Sequence, residues 1–151
     1  MINFNRIKLE PLISYKNPLS EKYNIFKDNK NKSGIYRWTN KINNKSYIGS
    51  SVKLDRRFNL YYSTGFLINK LWKGKSAIYS ALLKYNHSNF SLDIMEYCEL
   101  NKLIEREQYY IDILKPEYNL CKIAGSSLGF KHTEKTRLQM SINNIGKNNL
   151  W

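Results

Sequence analysis

Ser33-Gly34-Ile35-Tyr36-Arg37-Trp38-Thr39 and Ser46-Tyr47-Ile48-Gly49 flank the polar stretch Lys41-Ile42-Asn43-Asn44-Lys45. The first segment is rich in β-branched and aromatic residues, as a strand requires. The middle offers a turn with two asparagines, a residue type that tolerates left-handed backbone. The second segment returns as a partner strand. With a period of two, Tyr36 and Trp38 share one face of the hairpin, and Ile35 and Arg37 share the other. Antiparallel pairing brings Tyr36 near Tyr47. Gly49 leaves room for another backbone or a phosphate to approach closely. On its own a tyrosine-rich hairpin is a packing element.

Downstream, Leu54 to Tyr62 places apolar residues at 54, 58, 61 and 62 and predicts a short amphipathic helix. Arg56 and Arg57 point about 100° apart on it, and only Arg57 borders the apolar stripe and can aim inward. Residues 63–75 contain Gly65 and Gly74 and are expected to form a loop. Lys70, Trp72, Lys73 and Lys75 there suit a groove that follows phosphates and stacks a base, or else a solvated loop with Trp72 tucked onto the core. Ser76 caps a helix to Tyr85 through Ile78, Ala81 and Leu82. Phe90 to Tyr97 alternates cleanly and predicts a third strand.

The helix expected from about Asn101 to Leu114 ends before Pro116. Leu103, Ile104, Ile111 and Leu114 define its apolar stripe, and position 107 falls on that stripe yet holds glutamate. A carboxylate on a buried face must be paired or metal-bound, because an isolated buried charge costs several kcal/mol. An ion pair with Arg57 and a bound cation both satisfy that requirement. Asn119, in Glu117-Tyr118-Asn119-Leu120, could bond to the Glu107 carboxylate or simply fix the turn after Pro116.

The chain of 151 residues carries a net charge of +13. That charge favours a polyanion, nucleic acid first, although Asn, Lys, Ile and Tyr are all A/T-codon residues and part of the lysine excess reflects that bias. No apolar run approaches the roughly 18 residues that span a bilayer, and no membrane contact is expected. Cys98 and Cys121 are not spaced as a metal pair, and nothing implies an oxidising compartment. The first residues resemble neither a signal nor a transit peptide. Residues 1–32, with Pro11 and Pro18, are expected to form an irregular basic arm.

Gly34-Ile35-Tyr36 and Tyr47-Ile48-Gly49, with ten residues between the tyrosines, together with Arg57, Glu107 and Asn119, resemble the motif set of the GIY-YIG nucleases. The nearest likeness is to group I intron homing endonucleases of fungal mitochondria and phages. The resemblance implies an α/β (α+β) fold: a small three-stranded antiparallel sheet flanked by helices over residues 33–124. The extended N-terminal arm at 1–32 lies outside the resemblance, and residues 125–151 are expected to be a linker and a short, partial DNA-binding tail.

The activity implied is hydrolysis of phosphodiester bonds in duplex DNA, with one Mg²⁺ (or Mn²⁺) held by Glu107. Arg57 would lie on the phosphate, and Tyr36 would take a proton while Tyr47 orients water or phosphate. The residues alone do not rank the two tyrosines. A histidine found in some relatives is replaced here by Lys75. The stretch from Gly129 to about Lys147 resembles a small modular DNA-binding motif, with Lys131, His132, Lys135 and Arg137 as DNA contacts. Intron RNA is a second possible polyanion, no stable protein partner is expected, and an organelle-encoded mitochondrial protein is implied over a phage or bacterial one.

Overall fold

The computed structural model describes residues 9–125. The expected elements at the C-terminal tail, including Lys131, His132, Lys135 and Arg137, lie outside those residues. Strands β1 (Ile13–Tyr15), β2 (Gly34–Asn40), β3 (Ser46–Ser51) and β4 (Phe90–Tyr97) form one sheet in the order β1-β4-β2-β3. Every pairing is antiparallel. Helices are α1 (Lys22–Asp28), α2 (Leu54–Tyr62), α3 (Thr64–Lys73), α4 (Ala77–Tyr85) and α5 (Leu103–Leu114).

The hairpin forms as its composition dictates, with Tyr36 opposite Gly49 and Trp38 opposite Tyr47. Asn44 takes φ 61°, the left-handed conformation that closes the turn. Period-two alternation then divides the sheet into two faces, each with its own core. On one face Tyr36, Trp38, Phe90, Leu92 and Ile94 pack with Leu54, Phe58 and Tyr61 of α2 and Ile78 and Leu82 of α4. On the other, Ile35, Ile48 and Met95 pack with Leu103, Tyr110 and Ile111 of α5. A bulge between Ile35 and Tyr36 resets the β2–β4 register. The extra residue, Met95, lets both it and Glu96 face α5, where Met95 joins the second core and Glu96 accepts from Arg106 and Tyr110.

Three expectations need correction. The sheet has four strands rather than three, because the segment expected to be an irregular arm supplies β1 and α1. Ile13, Ser14 and Tyr15 pair with Ile94, Asp93 and Leu92, and Ile25 of α1 is wholly buried. The signal was too short to read: three strand residues and one buried helix position give no periodicity. Residues 63–75, expected to be a loop, contain α3 because Ser63 caps it, its hydroxyl accepting from the Phe66 amide at 3.2 Å. Gly65 falls in its exposed first turn, where it costs least. Ile104, expected on the buried stripe of α5, is instead 62% exposed, and Tyr110 takes the inward position.

Buried charge on the sheet is paired. Arg37 makes a two-pronged contact to Asp93 at 2.8 and 3.0 Å, and Ser14 donates to the other carboxylate oxygen at 2.6 Å. Arg106 and the Tyr110 hydroxyl both donate to Glu96 at 2.7 Å. Among the described residues no helix is long and apolar enough to cross a membrane.

Candidate active site at the β3 edge

The site forms where the two cores meet at the end of β3. From the first face come Tyr36 on β2, Tyr47 on β3, Arg57 and Tyr61 on α2, and Tyr79 on α4. The alternation of β3 sends its next side chain, Ser50, to the second face, where its hydroxyl donates to Glu107 of α5. Gly49 stands between these two groups. A Cβ on it would fall 2.5 Å from the Tyr36 ring carbon and hydroxyl oxygen and 2.9 Å from the Tyr47 ring. The expected close approach is therefore made by two tyrosine rings, which crowd the bare backbone.

Tyr36 is only 2% exposed, and its hydroxyl lies 2.7 Å from that of Tyr61. Its ring meets Phe58 and Tyr61 edge-on, with centroids 5.2 and 5.8 Å apart. Tyr79 packs edge-on against Tyr61 at 5.7 Å. Arg57 borders this cluster, as its place beside the apolar stripe of α2 predicts, while Arg56 points to solvent. Burial pushes the Tyr36 phenol well above its ordinary pKa, Tyr47 raises it further, and the Arg57 charge and the Tyr61 hydroxyl oppose the rise. Burial also raises Tyr47, and the Glu107 carboxylate is its next cause. Arg57 itself stays charged: burial works against it, but four surrounding tyrosines raise it overall.

Glu107 is half-buried on the α5 face that turns toward β3. Burial raises its pKa above the ordinary carboxylate value, and the Ser50 hydroxyl and Arg57 charge only partly offset that. No ion pair joins Glu107 to Arg57 among the described residues. The reading of Glu107 as one half of a structural salt bridge is therefore set aside.

Asn119 does not reach Glu107. Its side chain donates to the Ile48 carbonyl and accepts from the Ile48 amide, both at 2.9 Å. Tyr118 N–H donates to the Ser46 carbonyl at 2.9 Å, so residues 117–119 run along the outer edge of β3 and satisfy it. Trp72 is 86% exposed, not tucked onto the core, and Lys70, Lys73 and Lys75 are exposed as well. Ser50, Tyr61 and Tyr79 were missed from sequence. Tyr61 was legible in principle, four residues after Arg57 on the same helical face. Ser50 and Tyr79 carry no local signal.

This frame, a tyrosine hairpin with an arginine on the next helix and a glutamate brought to its edge, defines a class. Residues 32–119 match the family model described as the GIY-YIG catalytic domain, and the chain belongs to the GIY-YIG family. It is similar to "Probable intron-encoded endonuclease bI1" of Neurospora crassa, 33% identical over 90% of this chain and 31% of that protein. It is also similar to "Probable intron-encoded endonuclease 1" of the same organism, 37% identical over 80% of this chain and 40% of that protein. "Intron-associated endonuclease 1" of Enterobacteria phage T4 is 32% identical over 65% of this chain and 39% of that protein. The chain thus spans between about a third and two fifths of the length of these relatives. Among solved structures, a mutant catalytic domain of intron endonuclease I-TevI superposes with a TM-score of 0.51 at 27% identity, over 63% of this chain and 99% of that one.

Proposed function

We propose that this chain is a Mg²⁺-dependent DNA endonuclease that hydrolyses phosphodiester bonds in duplex DNA. We further propose that it acts as an intron homing enzyme in a fungal mitochondrion. The observation that carries this reading is Glu107: a half-buried carboxylate, protonation-prone and in no ion pair among the described residues, held near an arginine ringed by tyrosines. A carboxylate kept at such a cost to stability is expected to hold a cation.

The donor set fits Mg²⁺, a hard ion that accepts one carboxylate and otherwise water and phosphate oxygens. Among the described residues no cluster of three His, Cys, Asp or Glu side chains competes for it. Glu107 would hold the ion, with Ser50 fixing the carboxylate rotamer. Bound Mg²⁺ would supply positive charge to the phosphate and the leaving 3′ oxygen, and would offset the Glu107 anion beside Tyr47.

The chain's own groups do the rest. Arg57, charged and ringed by hydroxyls, lays its fork on non-bridging phosphate oxygens and stabilises charge that grows in the transition state. A tyrosine would take the proton of the attacking water as phenolate, after releasing its own phenol proton to solvent, a loss that the positive charge of Arg57 favours. Burial is the largest cause of the rise at both tyrosines, but Tyr47 fits that task better than Tyr36 because it is partly exposed and the Glu107 charge is a further cause of its rise. Tyr36 is raised chiefly by burial, and its hydroxyl is held by Tyr61, which suits it to fix Tyr47 and Arg57 in place.

The test uses supercoiled intronless A/T-rich plasmid and a plasmid library, with Mg²⁺ or with EDTA. Nicking or linearisation only with Mg²⁺ is expected. RNA binding with no cutting of any plasmid would replace this reading with that of a nuclease fold recruited to intron RNA.

A further inference from the structure

We propose that the outer face of α3 is a nucleobase-stacking surface, with Trp72 laid against a base of the bound DNA while the lysines beside it hold phosphates. The proposal rests on the DNA-cleaving reading above and names the surface that engages the substrate next to the site.

α3 is docked by one side only. Leu67 is wholly buried and Phe66 packs against Tyr79 with ring centroids 6.0 Å apart. Tyr79 in turn meets Tyr61, which bonds to Tyr36, so the inner side of α3 is built onto the wall of the arginine site. The opposite side carries Ile68 and Trp72, one turn apart and 44% and 86% exposed. With Leu71 they line a shallow hollow at the helix end. A large aromatic ring left in water on a helix that already has a packed side marks a contact surface.

Charge names the occupant. From Arg56 to Leu92 the chain contains no aspartate or glutamate, while Lys73 and Lys75 follow Trp72 closely and Lys70, one turn before Lys73, lies over the Phe66 ring at 5.5 Å. None of these three lysines has a carboxylate partner among the described residues. Codon bias explains abundant lysine, but it does not explain acids being absent from one stretch and present on both sides of it, at Asp55 and Asp93. An acid-free helix with one exposed indole meets a polyanion that has π-faces, which is DNA. Aromatic stacking on a base tolerates any sequence, and cationic side chains track the backbone.

The full chain is titrated, in EDTA, onto a labelled A/T-rich duplex, the same duplex with unpaired bases, and the single strand, each at several salt concentrations. Trp72→Ala is expected to weaken binding about tenfold and leave the salt slope unchanged, and Trp72→Phe to restore most of the loss. Lys73→Ala is expected to lower the slope by about one ion. An equal Trp72 effect on the intact duplex means insertion into the stack, and a larger effect on unpaired DNA means capture of an already open base. Both support the proposal, and unchanged melting of Trp72→Ala excludes misfolding.

Affinity within twofold of wild type for Trp72→Ala overturns the proposal while leaving the nuclease reading intact. So does concentration-dependent self-association of wild type that Trp72→Ala abolishes, which would make a second copy the occupant. If wild type binds no DNA at all, the nuclease reading falls, and the stacking surface with it.

Discussion

Gly49 in a strand and Glu107 on a half-buried helix face each hold a residue type that secondary structure and burial alone would not choose. At Gly49 the reason is room. Gly49→Ala drives a methyl group into the buried Tyr36 ring, which is boxed in by Phe58 and Tyr61 and cannot move aside. We expect a loss of about 2 kcal/mol in stability, read as a fall of several degrees in Tm, together with loss of cleavage as both tyrosines shift. At Glu107 the reason is chemistry. Its raised pKa means that the folded state keeps a proton the unfolded chain has already released. Stability therefore falls as pH rises from the ordinary carboxylate range through the raised value, and the deficit persists at neutral pH. Glu107→Gln should melt at or above the wild-type temperature at pH 7. In the metal-free protein the Glu107 carboxylate should titrate above the usual carboxylate range, and added Mg²⁺ should lower it, read by following its titration with and without the ion.

β3 shows how one element serves both stability and site. Its inner edge pairs with β2, and its outer edge would be open but for residues 117–119. Asn119 fills both hydrogen-bonding groups of Ile48, directly before the glycine that the tyrosines crowd. Asn119→Ala leaves that amide and carbonyl without partners and should cost about 1–3 kcal/mol, measured by denaturant unfolding. Cleavage assayed well below the melting point should survive, since Asn119 does not touch Glu107. An asparagine that held the carboxylate would instead show lost activity with little loss of stability.

Elements with strong periodicity were legible beforehand: the hairpin, the Leu54–Tyr62 helix, the strand Phe90–Tyr97, and the helix bearing Glu107. Their apolar spacing is set by one dominant partner surface. α3 was not legible, because the two glycines and three lysines of residues 63–75 suggest a loop and its identity depends on a capping serine and on Leu67 finding a place between its neighbours. The Asn119 contact was equally hidden, since its partner is a backbone seventy-one residues away in sequence.

At the scale of the whole molecule, one four-stranded sheet separates two cores, and the site lies where β3 lets groups from both faces meet. That arrangement makes residues 9–32 part of the domain and not an appendage. β1 covers the outer edge of β4, and Tyr15 and Ile25 are buried in the same core as Tyr36. A chain shortened to begin at residue 33 loses at least these two buried side chains, each worth about 1.5–3 kcal/mol. It should unfold at markedly lower denaturant, a result that an unpacked arm would not give.

The most direct test of the account pairs two readings on one substitution. Cleavage of a plasmid that wild type cuts, in Mg²⁺, is measured beside thermal melting in EDTA for wild type and Glu107→Gln. The account predicts that cleavage falls by on the order of 10²–10³-fold or more while the melting temperature holds or rises, because the carboxylate is retained for chemistry at a cost to stability. Undiminished cutting by Glu107→Gln, or a fall in melting temperature that accounts for the lost activity, would contradict it and return Glu107 to a structural role.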